Sequence, residues 1–185
     1  MIGRVCRHYV FANWNLTVLL ACAFATPVHA SVEIGARPPD YLGRNEHGDK
    51  VLVSEQQGKL VIVSFFASWC GPCRKELPIL AAMQKQVGRD KLIVVAVNYR
   101  EDSEIVRSLR RQLRDYQLTI TSDGNGRIGE QYGVKGIPRM VIIGKDGKVA
   151  GQHEGYGEEM LPHLVDEINR IWREQATDAT GTQVN

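Results

Sequence analysis

Two cysteines separated by two residues, in Trp69-Cys70-Gly71-Pro72-Cys73, hold the reactive chemistry of this 185-residue chain. They follow an apolar run, Leu60 to Ala67, that reads as a buried strand, and precede a segment from Arg74 to Val87 that reads as a helix. Cys70 therefore falls at a strand-to-helix junction, where the helix end presents unpaired N–H groups and partial positive charge. A thiolate is stabilised there, so its pKa is expected below the free value of about 8.5. Cys70 is the expected nucleophile, attacking a disulfide to give a mixed disulfide. Cys73, one helical turn on, is the expected resolving thiol, and a Cys70–Cys73 disulfide is the expected product. Gly71 permits close backbone approach, and Pro72 suits a first helical turn. The competing reading of a CxxC is half a zinc site. Zinc usually takes four ligands from two such pairs, and only His47, His153 and His163 remain beyond residue 30. No metal and no cofactor are expected.

The elements that must position this pair follow from periodicity. Leu60–Ala67 and Leu92–Val97 are continuous apolar runs rich in β-branched residues, as in central strands. The helix after Cys73 carries Leu77, Ile79, Leu80, Ala81, Met83 and Val87 on its apolar side. Pro78 lacks the N–H that the Arg74 carbonyl needs, which predicts a kink. Asp102–Tyr116 reads as an amphipathic helix with Ile105, Leu109, Leu113 and Tyr116 inward. Its other face, Arg107, Arg110, Arg111 and Arg114, reads as solvated. Leu118–Thr121 is a short strand candidate, Asp123–Gly126 a turn and Arg127–Tyr132 a short helix. Met140–Ile143 and Lys148–His153 flank Lys145-Asp146-Gly147 as an antiparallel hairpin, and Glu158–Arg173 is a closing helix. Near the start, Asn45–Asp49 is a turn between two short strands. Strands alternating with helices and ending in a hairpin give an α/β fold, with a mixed central sheet, helices on both faces and a C-terminal β-hairpin plus helix.

Residues 1–15 carry Arg4, Arg7 and His8 without an acid, and residues 16–25 form an apolar stretch too short to span a bilayer. Val28 and Ala30 are small residues at the positions a signal peptidase reads. Residues 1–30 are thus expected to be a signal peptide cut before Ser31. The competing readings are an uncleaved anchor and a lipid attached at Cys22. Residues 31–175 are the expected domain, and 176–185 a polar flexible tail. Of 23 basic residues, Arg4 and Arg7 leave with the signal, so 21 basic face 21 acidic residues in the mature chain. That balance argues against nucleic acid and against a charged membrane-surface patch. Cys6 and Cys22 also leave, so the mature chain keeps only the CxxC pair. A lone close pair in an exported domain reads as redox-active rather than as a structural framework.

Other residues are candidates through their placement. Trp69 flanks the dithiol and offers an apolar docking surface. Glu76, three residues after Cys73, can face the same side of the helix and shuttle the Cys73 proton. Gly136-Ile137-Pro138 precedes the hairpin, and Pro138 is a candidate for a cis peptide bond. Spacing alone favours a trans proline in a loop.

Val61–Cys73, Arg74-Lys75-Glu76-Leu77-Pro78, Tyr132–Pro138 and Ile143–Gly147 together resemble the exported TlpA/ResA-type thiol–disulfide oxidoreductases of the thioredoxin fold. The resemblance covers roughly residues 36–172. It implies a thioredoxin-like sheet, Pro138 in cis beside the dithiol, and Ile137 presenting backbone groups to a substrate strand. There are two departures. Thioredoxin's buried acid, six positions before the first cysteine, is replaced by Ser64, and Glu76 is the carboxylate this branch carries instead. Arg139 follows Pro138, where a small hydroxyl residue is more usual; a cation there would lower the Cys70 pKa and favour acidic partners. The implied partners are disulfide-containing protein substrates, apocytochrome c among them, and an upstream, membrane-embedded dithiol donor. The implied location is the periplasm, and the chain is expected to be a monomer. The Gly-Pro dipeptide is thioredoxin's own. Thioredoxin lies at about −270 mV and the oxidant DsbA at about −120 mV, so reduction is favoured. A net oxidase or isomerase, a redox sensor and a copper-handling module are the competing functions. A peroxidase is disfavoured by the pairing of the cysteines.

Overall fold

The computed structural model describes residues 32–180. The signal-peptide reading of residues 1–30, with Cys6 and Cys22, and positions 181–185 lie outside the described residues. Among the described residues there are seven strands: β1 Tyr41–Arg44, β2 Lys50–Leu52, β3 Leu60–Phe66, β4 Leu92–Tyr99, β5 Thr119–Asp123, β6 Arg139–Ile143 and β7 Val149–Glu154. The α-helices are α1 Gly71–Val87, α2 Ser103–Gln112, α3 Arg127–Gln131 and α4 Leu161–Thr180.

The main sheet has the order β5-β4-β3-β6-β7. β3 runs parallel to β4, and β4 to β5, whereas β6 is antiparallel to both β3 and β7. β1 and β2 form a separate antiparallel pair. The continuous apolar runs become the two central strands because each of their faces is covered: β3 is buried throughout, and β4 as far as Asn98. Strand alternation then sorts the core. Leu60, Ile62, Leu92, Val94, Met140 and Ile142 pack with Leu80 of α1 and with Leu164, Ile168 and Ile171 of α4. Val61, Val63, Phe65, Val95 and Val141 face the other way, against Leu42, Val51 and Ile128 of β1, β2 and α3.

Several elements differ in detail from the sequence reading. α1 begins at Gly71 and runs through Pro78 without a break. α2 buries Val106, with Leu109 and Leu113 packed behind it, while Ile105 is exposed. The inward stripe is 106, 109, 113: Leu109 and Leu113 face inward as expected, and Val106 takes the place expected of Ile105. α4 continues past residue 175 to Thr180, into the stretch assigned to the tail.

α1 is fixed to the sheet by a polar bond as well as by its apolar face. β5 begins opposite Val95, so β4 has no backbone partner on that side at Val94. The buried Gln84 side chain fills the gap: its Oε1 accepts the Val94 N–H at 2.8 Å and its Nε2 donates to the Gln117 carbonyl at 3.0 Å. Gln84→Leu keeps the volume and strands the Val94 N–H, while the Gln117 carbonyl keeps its bond from Arg89. The expected loss is about 1–3 kcal/mol, read as a lower denaturant midpoint. An unchanged midpoint contradicts this role.

Candidate active site

β3 ends at Phe66, and the chain turns through Ala67, Ser68 and Trp69 directly into α1. Cys70 is the residue that caps the helix. Its Sγ accepts the backbone N–H of Cys73 at 3.2 Å, and Pro72 lies in the first turn. The sulfur therefore meets the unpaired donors at the positive end of a 17-residue helix. Cys70 and Cys73 are joined in a disulfide with a Cα–Cα distance of 5.3 Å. Cys73 is fully buried and Cys70 is 4% exposed, whereas Trp69 beside them is 69% exposed.

The turn before Cys70 is held from β4. Glu101 is buried, and its carboxylate accepts the Ser68 N–H at 2.7 Å, the Ser68 hydroxyl and the Asn98 side-chain amide at 2.6 Å. Sequence reasoning missed this three-residue tie. Its only signal was an acid directly after an apolar strand.

Glu76 is buried on the same side of α1 as Cys73 and Leu77. Its Oε2 accepts a hydrogen bond from the Ser64 hydroxyl of β3 at 2.7 Å. Burial pushes the Glu76 carboxyl up from 4.5 to about 7, and the Ser64 hydroxyl opposes that rise. The strand position that lacks an acid thus holds the hydroxyl that binds the helix carboxylate. At neutral pH, Glu76 can hold or release one proton beneath the dithiol.

The Ile137–Pro138 peptide bond is cis. Ile137 packs against the cluster that contains Cys70, Cys73, Phe66 and Leu77, so this loop abuts the disulfide. Arg139 departs from expectation. It shares the strand alternation of Val141 and Ile143, whose side chains face away from α1. Its guanidinium, 12% exposed, bonds Glu154 at 3.0 Å and Gln152, both on β7. Those bonds commit the cation to the hairpin instead of the dithiol.

Two recesses flank the motif. One, of about 530 Å³, lies between Gly71, Pro72 and Lys75 on one side and Tyr156 and Gly157 on the other. The second, of about 470 Å³, lies between Phe66, Ala67, Ser68, Arg74 and Leu77 and the α2 residues Ile105 and Leu109. The structure thus gathers Cys70, Cys73, Glu76, Ile137 and Pro138 around one spot, leaves Trp69 exposed beside it, and sends Arg139 elsewhere.

Paired sulfurs that close across one helical turn exchange electrons with other disulfides, and the sheet that presents them has the thioredoxin-like order. Comparison with known proteins agrees. The Redoxin family profile matches residues 33–168. The chain is 33% identical to the thioredoxin-like protein YneN of Bacillus subtilis, covering 78% of this chain and 82% of that protein. It is 29% identical to the thiol-disulfide oxidoreductase ResA of Bacillus thuringiensis, covering 76% and 79%. The crystal structure of a putative thiol:disulfide interchange protein DsbE from Chlorobium tepidum superposes with a TM-score of 0.71 at 32% identity, covering 76% of this chain and 99% of that one. This chain belongs to the Redoxin family, in its TlpA/ResA-type thioredoxin-fold branch. It is a thiol–disulfide oxidoreductase.

The Glu76 environment sets a pH dependence of stability. The folded protein keeps the Glu76 proton up to about pH 7, the unfolded chain only to about 4.5. Between those values the folded state binds more protons, so this group lowers stability as pH rises. Glu76→Gln removes the ionisation. The oxidised variant is expected to gain nothing over wild type near pH 4.5, and on the order of 3 kcal/mol above pH 7. Denaturant unfolding across pH checks this. A stability difference that stays constant with pH contradicts it.

Proposed function

We propose that the chain works outside the cytoplasm as a protein-disulfide reductase, exported by residues 1–30. The observation that carries the reading is the Cys70–Cys73 pair at the head of α1 with the Glu76 carboxyl beneath it. In the reduced enzyme the Cys70 thiolate attacks one sulfur of a substrate disulfide. That S–S bond breaks, a Cys70–substrate disulfide forms, and the leaving substrate thiolate takes a proton. Cys73 then gives its proton to Glu76 and attacks the Cys70 sulfur. The mixed disulfide breaks, the second substrate thiolate leaves and is protonated, and the Cys70–Cys73 bond closes as it stands here. Two electrons pass to the substrate with two protons, one surrendered by Glu76 and one from water. A dithiol donor, membrane-embedded in this reading, returns the enzyme to its reduced form.

The cis Ile137–Pro138 loop and exposed Trp69 are the proposed contacts for the substrate segment, since both border the sulfurs. Export is supported by the basic, then apolar, then small-residue order of residues 1–30. The mature domain begins at residue 31, as given above, and runs at least to the end of α4 at Thr180. Reduction is supported by the Gly71-Pro72 dipeptide that thioredoxin shares. Apocytochrome c before haem attachment is the proposed substrate, on the strength of the TlpA/ResA-type resemblance.

Cys73→Ala removes the resolving thiol. It is expected to accumulate mixed disulfides on Cys70 from exported proteins, named by mass spectrometry. Equilibration of the wild type with glutathione is expected to give a potential near the thioredoxin end, about −270 mV. Absence of Cys70 adducts contradicts the exchange mechanism. A value near −120 mV replaces the reductase by an oxidase.

A further inference from the structure

α2 separates two recesses, of which one holds most of the arginines that line them. One of its faces lines the recess beside the dithiol, where Ile105 and Leu109 face Phe66 and Leu77. Another lines a recess of about 820 Å³, bounded by the turn between β1 and β2 and by the start of β5. Five arginines line this second recess: Arg89, Arg107, Arg110, Arg111 and Arg114. The only carboxylate among the lining residues is Glu46. Leu113 borders both recesses, so they adjoin across one helix.

Two of these cations are fixed in advance. Arg110 donates from Nε and Nη2 to the Ile120 carbonyl, at 3.2 and 3.0 Å, and from Nη2 to the Arg44 carbonyl at 2.7 Å. Arg89 donates to the Gln117 carbonyl and, at 3.4 Å, to the Thr119 hydroxyl. None of these acceptors is an anion. Burial pulls the Arg110 guanidinium down from its ordinary value, with only the Glu46 charge opposing. Arg107 and Arg111 are exposed and make no hydrogen bond or ion pair among the described residues. Arg114 has only its exposed neighbour Asp115, at 3.7 Å. Positive charge is thus concentrated in one concavity, with only Glu46 in its lining and Asp115 beside Arg114 to balance five arginines, in a chain whose basic and acidic residues otherwise nearly balance.

Geometry selects the kind of anion. Arg107, Arg110 and Arg111 lie on α2 and Arg114 on the 3-10 turn that follows it, a span of about 10 Å along the chain. That is too long to close around a single phosphate, and it matches about three residues of extended chain at roughly 3.3 Å each. A membrane surface would meet cations on a flat or convex face, whereas Arg89 and Arg110 are bonded to backbone within a recess. Guanidinium forks pair carboxylates in bidentate fashion, and prepositioned forks lose less entropy when they do.

We propose that this recess docks an extended acidic segment of a partner protein. Resting on the thiol–disulfide exchange proposed above, the segment flanks the disulfide that the Cys70–Cys73 pair attacks. The partner's cysteines lie at the head of α1, an apolar stretch occupies the recess between α1 and α2, and its carboxylates reach the arginines across α2. Substrates would then be selected by acidic flanking sequence as well as by the presence of a disulfide.

The test uses the full chain and a fluorescein-labelled Glu/Asp-rich peptide without cysteine, beside its Lys-substituted counterpart. Fluorescence anisotropy is expected to show binding of the acidic peptide only, stronger at low salt. Arg107→Glu with Arg111→Glu is expected to weaken it by about tenfold or more, and Arg107→Lys with Arg111→Lys to retain most of it. Equal binding of both peptides, or acidic binding that survives the charge reversal, overturns the proposal. Retention on phosphatidylglycerol vesicles without peptide binding overturns it in favour of a membrane surface. Exchange of the wild-type protein with hydroxyethyl disulfide, too small to span the helix, reports on the dithiol alone. Failure there removes the exchange reading and leaves the peptide result to stand or fall separately.

Discussion

The alignment of α1 behind the Cys70 sulfur is the constraint on which the rest of the molecule depends. The sulfur stands where peptide N–H groups are unpaired, and it takes one of them, from Cys73. Partial positive charge at that end favours an anion over a neutral thiol. Keeping it there requires a rigid strand, a short turn and a helix that cannot slide. β3 supplies the first, buried along its whole length between β4 and β6. Glu101 supplies the second by holding the N–H and the hydroxyl of Ser68. Leu80 and Gln84 supply the third, anchoring α1 by packing and by two backbone hydrogen bonds.

Glu76 shows what this geometry costs and what it allows. A carboxyl beneath the helix head has little water, so its ionised form is disfavoured and its pKa rises to about 7. A lone buried carboxylate would be a severe penalty, and the Ser64 hydroxyl offsets part of it. The residual strain is useful. A group balanced between its two protonation states near neutrality can accept a proton from Cys73 and surrender it later. The stability lost between about pH 4.5 and 7 and the proton transfer are two consequences of the same burial.

Much of this was legible in the sequence, for identifiable reasons. Continuous apolar runs announce strands covered on both faces, and β3 and β4 lie within a residue or two of their expected bounds. The CxxC carries its own geometry, because two intervening residues of helix bring the sulfurs together. Glu76 was legible as a same-face neighbour of Cys73, and Pro138 as cis through family resemblance. What escaped depends on contacts between distant segments. The Ser64–Glu76 bond joins a strand to a helix 12 residues on, and the Glu101–Ser68 tie spans 33 positions. Arg139 was misplaced because proximity in sequence to Pro138 says nothing about which sheet face a strand residue takes. One step of alternation turns it away from α1. The arginines of α2 read as a solvated face because their period is that of any surface helix. Only the approach of the β1–β2 turn and of β5 makes them the wall of a recess.

The central claim is that Cys70, and not Cys73, is the thiol ionised near neutral pH. The direct measurement is the pH dependence of iodoacetamide alkylation of the reduced protein, with each modified cysteine assigned by mass spectrometry. Cys70 is predicted to react first, with an apparent pKa well below the free-thiol value of about 8.5, while Cys73 stays protected. Equal, slow modification of both positions, rising only above that value, would contradict the account.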